Sequence, residues 1–439
     1  MNSGPMRFLY SIVLYLSVPL VLLKLLLRGR RNRAYLERIP ERFGCVAEPE
    51  SGLPVIWVHA VSVGEVQASG ALVKRLLRSY PGCQVLLTTI TPTGAAQVEK
   101  LFSGSVEHRY LPYDLPHGVN LFLRRINPRL LVILETEIWP NLLHYCRRRG
   151  VPAILVNARL SSTSYRGYLR MRRFTASTVR LLDHIAARSA EDAGRFLALG
   201  AEPAAVSIAG DLKFDDETPP ENKGQAQSLR QSLAPGRPVW IAASTHEGEE
   251  DKVLEAFRSV RKSLADCLLI IAPRHPERFD RVYDLCRRRG LEVSRRSDAA
   301  GAAHRDTDVY LLDTLGELPR FYACADAAFV GGSLVPAGGH NVLEAARLGV
   351  PLVTGAHTGN FTEIIGLFKT ADAIMTVTDA TQLAAALTRL LTDAELRRTC
   401  GERGQRLVRQ NQGALDSVMG ILDGYLKYHP LIFTKILLD

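Results

Sequence analysis

The residues best suited to chemistry are acidic and basic side chains that directly follow short apolar runs. Glu65 ends the segment HAVSVGE, and Glu135 and Glu137 lie in LETEIWP. A positioned carboxylate accepts the proton of an attacking hydroxyl in many enzymes. The alternative for Glu65 is structural, since an acidic side chain near a helix N-terminus also stabilises the helix dipole. Lys213, in GDLKFD, is a cation near an expected crossover between domains.

A second group of residues is suited to binding phosphate. Arg274 ends the apolar run LLIIAP, and a guanidinium there can grip a phosphate in a fork or form a surface ion pair. The stretch FVGGSLVPAGGHNVLEA brings glycines before a helix expected from Asn341, whose free N–H groups would attract a phosphate. Glu344 could cap that helix or accept bonds from sugar hydroxyls. Residues 244–246 (Ser-Thr-His) are helix caps or phosphate contacts.

The sequence lacks the signatures of several nucleotide and metal sites. It contains neither G-x-G-x-x-G nor G-x-x-x-x-G-K-[ST], the fingerprints of dinucleotide-binding and P-loop proteins. Its one Asp-x-Asp, at residues 306–308, precedes an expected strand and so lies at the wrong end of a sheet for a ligand. The seven cysteines are scattered without a CxxC, which favours reduced thiols over zinc ligands or disulfides. We therefore expect no metal and no cofactor.

The elements that must position these residues alternate between apolar strands and amphipathic helices. Helices are expected at 68–79, 250–264 and 341–348. Continuous apolar strands separated by helices indicate parallel sheets covered on both faces. Strands are expected at Val55–Ala60, Val85–Thr89, Leu130–Leu134, Ala153–Asn157, His184–Ala187, Val239–Ala243, Leu268–Ala272, Val309–Leu312, Ala327–Val330, Pro351–Thr354 and Ile374–Val377.

The stretch Asp215–Pro238 is the most linker-like part of the chain and separates the two sets of strands. It predicts two doubly wound α/β domains, with polar strand ends facing one another across a cleft. Ligands of such sheets bind beyond the carboxyl ends of the strands. The expected division is 1–29 as an anchor, 30–225 as the first domain and 226–439 as the second.

Composition fits a globular protein with an anionic partner. The 439 residues correspond to about two or three domains. Charged residues are 23% of the chain and hydrophobic ones 46%, which argues against wholesale disorder and against a polytopic membrane protein. The formal net charge of +10 suits nucleic acid, an acidic membrane surface or phosphorylated substrates without choosing among them.

The N-terminus carries a candidate membrane anchor. Residues 8–27 form an apolar run in which only Lys24 is charged, and Arg28, Arg30, Arg31 and Arg33 follow. Twenty residues of helix span the hydrocarbon layer of a bilayer. The positive-inside rule then places the short N-terminal tail outside and the rest of the chain in the cytoplasm. The alternatives are a cleaved signal peptide and a hydrophobic helix that packs on the soluble part.

The motifs together resemble a known family. HAVSVGE, TPTG, YLPYDLP, LETEIWPNL, NARLS, GDLKFD, STHEGEE, PRHPERF, FVGGSL, GGHNVLEA and NQGAL occur in order over nearly the whole chain. They resemble the 3-deoxy-D-manno-oct-2-ulosonic acid (Kdo) transferases of lipopolysaccharide synthesis. The resemblance implies a GT-B glycosyltransferase, with an acceptor-binding first domain and a nucleotide-binding second domain. It implies transfer of Kdo from CMP-Kdo to the lipid A precursor lipid IVA, at the cytoplasmic face of the inner membrane.

The resemblance also implies roles for individual residues. Glu65 would be the base, and Glu135, Glu137 and Lys213 would support the transition state. The residues implied in holding CMP are Pro273, Arg274, Leu315, Gly316, Glu317, Asn341, Val342, Leu343 and Glu344. The expected partners are CMP-Kdo, lipid IVA and an anionic membrane surface, and not nucleic acid. The competing functions are an NDP-sugar epimerase of the same fold and a non-catalytic, membrane-tethered nucleotide-binding protein.

Overall fold

A computed structural model describes residues 4–49, 51–215, 223–298 and 306–427. The chain forms two compact units, one of Met1–Glu217 with Asn411–Asp439 and one of Thr218–Gln410. The expected division placed all of 226–439 in the second domain, whereas the structure returns the chain from Asn411 to the first unit. Residues 216–222 of the expected linker and the tail from 429 lie outside the described residues.

The first unit is built on a seven-stranded parallel sheet with the order β3-β2-β1-β4-β5-β6-β7. Its central strands are apolar throughout and buried on both faces, as expected where helices cover a parallel sheet. The strands are β1 Val55–His59, β2 Gln84–Thr89, β3 Glu107–Tyr110, β4 Pro128–Leu134, β5 Ala153–Ala158, β6 His184–Ala187 and β7 Val206–Ile208.

Helices connect these strands and cover the sheet. The helices of this unit up to β7 are α1 Gly4–Arg31, α2 Val63–Ala68, α3 Gly70–Ser79, α4 Pro92–Phe102, α5 Pro116–Ile126, α6 Pro140–Arg148, α7 Ser162–Arg170, α8 Arg172–Val179 and α9 Ala190–Ala198. Chain direction across the sheet reverses between β1 and β4. The loops after these two strands therefore flank the switch point, where doubly wound sheets bind ligands.

The second unit repeats this architecture with the strand order β10-β11-β9-β8-β12-β13-β14, again parallel. Its switch point lies between β8 and β12. The strands are β8 Val239–Thr245, β9 Leu268–Pro273, β10 Val293–Arg295, β11 Val309–Leu311, β12 Ala327–Val330, β13 Leu352–Thr354 and β14 Ile374–Thr376. The helices are α10 Lys223–Leu233, α11 Glu250–Arg261, α12 Phe279–Arg288, α13 Leu318–Ala323, α14 Leu343–Arg347, α15 Thr362–Thr370, α16 Ala380–Thr392 and α17 Ala394–Gln410.

The last helix, α18 (Ala414–Lys427), completes the core of the first unit. Its apolar face, including Leu415, Val418 and Leu422, is buried in one cluster with residues of β1 and β4. The turn before it is fixed by Asp215, whose carboxylate accepts the backbone N–H of Gly413 at 2.8 Å and that of Leu415 at 2.9 Å. The first unit is therefore made from both ends of the chain.

The fold confirms the expected class, an α/β protein with two parallel sheets and a GT-B-like architecture, and it contains the apolar N-terminal helix. That helix, α1, is the one helix in the described residues that is long and apolar enough to cross a membrane. All eleven expected strands are present, with ends shifted by at most two residues.

Candidate active site

Glu65 lies in the loop after β1, at the start of α2. Ser62 caps this helix, and its hydroxyl accepts the backbone N–H of Glu65 at 3.4 Å. The Glu65 carboxylate reaches back, so that Oε1 accepts the Ser62 hydroxyl at 2.9 Å and Oε2 accepts the N–H of Val61 at 2.8 Å. This is the reciprocal arrangement of a capping box. The structural role considered for Glu65 is therefore real, and it holds the carboxylate in one orientation.

The surroundings of Glu65 favour its neutral form. Burial raises its pKa from 4.5 to about 7, against the two hydrogen bonds, and the negative charges of Glu135 and Glu137 raise it further. Burial and the charge of Glu135 also raise the pKa of Glu137. A carboxylate whose pKa lies near neutrality is suited to general-base work. The structure thus brings together the three acidic residues that the sequence singled out.

Glu135 directly follows β4 and adopts a backbone conformation that is uncommon for its residue type, with φ of 59°. Its N–H donates to the carbonyl of Val156 at 3.0 Å, and its own carbonyl accepts the N–H of Arg159 at 3.4 Å. A non-glycine residue in the left-handed region is held there by its surroundings and often marks a functional site. The loop after β5 therefore fixes the direction in which LETE leaves the sheet.

Lys213 lies in a short 3₁₀ turn, Leu212–Phe214, that follows the edge strand β7. The turn is tied back over the end of β5, because Asn157 Oδ1 accepts the N–H of Leu212 at 3.1 Å. β5 is the direct neighbour of β4. Lys213 thus belongs to the same carboxyl-terminal edge of the sheet as Glu135.

In the second unit, the glycine-rich loop after β12 is organised around Glu249. This side chain is fully buried, and its two oxygens accept four backbone N–H groups at 2.7 to 3.2 Å. The donors are His246, Gly332, Ser333 and Leu334. The sequence suggested that this loop approaches a ligand, but these N–H groups are already occupied by a carboxylate of the protein. Glu249 is therefore the residue that shapes the loop, and the acidic run STHEGEE did not distinguish it.

Three histidines and Arg274 gather beside this loop. The Nε2 atoms of His246 and His340 lie 2.7 Å apart and their rings stack, while His275 meets His246 edge-on at 5.3 Å between centroids. Burial, followed by the charges of His246 and Arg274, lowers the pKa of His340 to about 4. Because a short contact between two ring nitrogens requires one donor and one acceptor, the pair shares a single proton.

The side chain of Arg274 is the open cation of this cluster. It follows β9 and is half-buried, and its guanidinium has no hydrogen-bond or ion-pair partner among the described residues. Its backbone N–H is fixed by the carbonyl of Thr245 at 3.0 Å. The nearby Arg278 is by contrast held by the buried carboxylate of Glu250, through two contacts of 2.7 and 2.8 Å. Arg274 is therefore the guanidinium available to an anionic ligand.

The expected helix start at Asn341 is later and shorter than the sequence indicated. Helix α14 begins at Leu343 and ends at Arg347. Asn341 Oδ1 accepts the N–H of Leu343 at 3.1 Å, and Asn341 Nδ2 donates to Glu344 Oε1 at 3.3 Å. The side chains of Val342 and Leu343 are fully buried, so that these two residues offer only backbone atoms to a ligand.

The other two expected binding segments differ in what they offer. Pro273 is buried at the end of β9. In the loop before α13, Leu315 is 62% exposed and Gly316 has φ of 86°. Glu317 is paired with Arg296, at 2.8 Å between Nη2 and Oε1, and with Thr314. Leu315 thus presents an apolar side chain, whereas the carboxylate of Glu317 is already bound.

The Asp-x-Asp segment is not arranged as a metal site. Asp308 forms an ion pair of 2.5 Å with Arg261 and accepts the N–H of Glu292 at 3.0 Å. In residues 4–49, 51–215, 223–298 and 306–427, no group of three or more His, Cys, Asp or Glu side chains is placed to hold a metal ion.

Comparison with known proteins assigns the family. Residues 37–216 match the model for 3-deoxy-D-manno-octulosonic-acid transferase (kdotransferase), and residues 241–407 match that for glycosyl transferases group 1. The 3-deoxy-D-manno-octulosonic acid transferase of Haemophilus influenzae is 37% identical over 423 residues, which cover 96% of this chain and 99% of that protein. The chain belongs to the 3-deoxy-D-manno-octulosonic acid transferase family.

A second family member and a solved structure extend this comparison. The 3-deoxy-D-manno-octulosonic acid transferase of Bordetella pertussis is 36% identical over 431 residues, covering 96% of this chain and 99% of that one. The UDP-GlcNAc 2-epimerase of Neisseria meningitidis, solved with UDP-GlcNAc, has a TM-score of 0.55 and covers 84% of this chain and 99% of that one. At 14% identity that likeness shows the fold alone. The resemblance found in the sequence is confirmed, and the transferase family assignment makes the chain a glycosyltransferase.

Proposed function

We propose that this Kdo transferase family member transfers Kdo from CMP-Kdo to a glucosamine hydroxyl of lipid IVA in lipopolysaccharide synthesis. The observation that carries the proposal is the buried, oriented carboxylate of Glu65, whose pKa is raised to about 7 beside Glu135 and Glu137. Glu65 takes the proton of the attacking hydroxyl. Direct attack on the anomeric carbon with one base gives inversion at that carbon.

In this proposal the second unit binds CMP. Arg274 neutralises the phosphate, because its guanidinium is open and stands beside neutral histidines. Asn341 and Glu344 offer polar side chains, Val342, Leu343 and Gly316 offer backbone atoms, and Leu315 offers apolar contact to the cytosine. Charge that develops on the leaving CMP is then stabilised by fixed positive groups, and no divalent metal is required.

The apolar helix α1 would attach the enzyme to the inner membrane, with both units on the cytoplasmic side. Lipid IVA is a phosphorylated lipid and is held at that surface. The arginines around the end of α1, among them Arg28, Arg30 and Arg33, carry the charge that suits anionic headgroups. Attachment therefore raises the local concentration of acceptor at the enzyme.

The test is a transfer assay with the purified full-length protein, CMP-Kdo and lipid IVA. We expect release of CMP and formation of a Kdo-bearing lipid, both dependent on the acceptor. Lipid IVA omitted from the reaction is the control for hydrolysis of the donor. Binding of CMP without transfer would favour a non-catalytic nucleotide-binding protein, and epimerisation of an NDP-sugar would favour the epimerase. Either result would overturn the proposal.

A further inference from the structure

One face of α1 contacts the first unit along nearly the whole helix. Buried and half-buried positions recur every three or four residues, which is the spacing of one helix face. They include Arg7, Ser11, Leu14, Val18, Val21, Leu25 and Gly29. At 1.5 Å per residue this stripe is about 33 Å long. It is therefore at least as long as the hydrocarbon layer of a bilayer is thick.

The N-terminal half of α1 is joined to the unit by polar side chains. Arg7 donates to Asn141 Oδ1 at 3.0 Å, and the Nδ2 of Asn141 donates to the Ser11 hydroxyl at 3.1 Å. Tyr10 is hydrogen-bonded to Asp114. Asn141 and Asp114 are both buried, and the Asp114 carboxylate also accepts the N–H groups of Asn141 and Leu142 at the start of α6. The first two turns of α1 are thus specifically docked.

Contacts further along α1 involve the same part of the unit. The hydroxyl of Tyr15 accepts the backbone N–H of His117 at 3.4 Å. Near the other end, the charge of Arg28 acts on the phenol of Tyr113, against the burial that raises the pKa of that group. If α1 crossed a bilayer, about 30 Å of hydrocarbon would separate Arg7 from the side on which Arg28 lies. Since both ends contact residues 113–141, crossing and docking exclude one another.

The opposite face of α1 is apolar and exposed. Leu16 is 74% exposed and Leu20 is 69% exposed. A continuous apolar surface of this kind, unlike scattered single residues, needs a partner. Its exposed members include Phe8, Leu9, Ile12, Val13, Leu16, Leu20, Leu23, Leu26 and Leu27.

The surface next to the start of α1 is basic. The ring of Tyr10 lies 5.8 Å from that of Phe174 in α8. Arg170, Arg172 and Arg173 are exposed, and none has an acidic partner among the described residues. No Asp or Glu occurs between residues 160 and 182. Basic side chains beside an apolar helix face match the anionic headgroups and acyl chains of a lipid leaflet.

We propose that α1 lies in the plane of one leaflet of an anionic bilayer, docked on the first unit, with its exposed face in the acyl chains. Gly4 and the folded units are then on the same side of the membrane. This arrangement differs from the single-pass anchor expected from the sequence. It rests on the membrane attachment proposed above and specifies its geometry.

The test places a cysteine at Gly4, where an added side chain meets open space. Gly4→Cys is made in a full-length chain in which Cys45 and Cys83 are serine, because the other cysteines are buried. A membrane-impermeant maleimide is applied to right-side-out spheroplasts and to inverted vesicles. The exposed Cys45 of the native chain marks the side of the folded units, and the doubly substituted chain without Gly4→Cys gives the background.

We expect Gly4→Cys to react from the same side as Cys45 and to lose its label when the reagent is applied only from the other side. Reaction solely from the opposite side would show a spanning helix and overturn the proposal. Protection from both sides until detergent is added would place Gly4 within the bilayer and also overturn it. The labelling does not measure transfer, so failure here is distinguishable from failure of the proposed reaction.

Discussion

At the scale of single residues, the Glu65 side chain both caps a helix and stands where a base is needed, and a substitution can separate the two roles. Glu65→Gln keeps an oxygen for the Val61 N–H and removes the proton acceptor. We expect turnover to fall by about 10²- to 10⁴-fold. Affinity for CMP should stay constant, because the proposed CMP contacts all lie in the second unit.

The matched controls are Glu99→Gln, on an exposed position of α4, and Ser62→Ala, which removes the capping hydroxyl. If Glu65 only caps α2, its loss should resemble Ser62→Ala and cost about 1 kcal/mol of stability. Turnover, CMP affinity and melting temperature are measured on all three variants. A Glu65→Gln protein with full turnover would refute the base assignment.

The pKa of Glu65 also predicts a pH profile. A base must be ionised, so with a pKa of about 7 turnover should be fully present above about pH 8 and fall as pH decreases through 7. His59 and His340, with pKa values of about 4, stay neutral in this window. Glu137→Gln removes a like charge and should move the acid limb to lower pH. Glu99→Gln should leave it in place. A limb that is unchanged in Glu137→Gln would contradict this coupling.

Arg274→Ala should act on the nucleotide before it acts on turnover. Losing one charge-assisted contact to phosphate should weaken CMP binding about 10- to 100-fold. The exposed Arg281→Ala on α12 is the control for a change of charge alone. Calorimetry with CMP measures both variants. Unchanged affinity in Arg274→Ala would remove this residue from the CMP site.

At the scale of elements, the loop after β12 depends on a single buried carboxylate. Glu249→Gln leaves one acceptor oxygen and turns an amide group toward backbone donors, so two of the four N–H contacts are lost or repelled. We expect a loss of about 1–3 kcal/mol in the free energy of unfolding. Weaker CMP binding should accompany it. Urea denaturation of Glu249→Gln and of the exposed Glu255→Gln on α11 compares the two. Equal stability of the two variants would contradict this role.

The interior elements were predictable from sequence because buried parallel strands are apolar throughout. The three strands that were not expected, β3, β7 and β10, are all at sheet edges. Their sequences EHRY, VSI and VSR are short and mostly half-exposed, so they lack an apolar signature. The start of α14 was also placed too early, because the Asn341 side chain occupies the first N–H of the helix instead of continuing it.

The candidate site was predictable where residue type alone carries the signal. Glu65, Glu135, Glu137 and Arg274 stand out as charged residues at strand ends. Glu249 did not, since a buried acceptor of four backbone bonds has the same letter as its neighbour Glu247. Tertiary contacts distinguish them, and one sequence does not contain those contacts.

At the scale of the whole molecule, we predict that transfer needs no divalent metal. Positive charge at the proposed CMP site comes from Arg274, and Asp308 of the Asp-x-Asp segment is engaged by Arg261. Turnover should be the same in excess EDTA as in buffer with magnesium. Loss of activity in EDTA that magnesium restores would contradict this prediction.

The return of α18 to the first unit has a consequence for how the protein is made. Residues of β1 and β4 leave the ribosome early, but the helix that covers them is the last element to be synthesised. At 5–20 residues per second, the intervening second unit delays that helix by roughly 10 to 40 s. During this interval the second unit, which is continuous in sequence, can fold alone, whereas the first unit exposes an uncovered apolar surface. Nascent chains of this protein are therefore expected to need protection by chaperones until the final turns emerge.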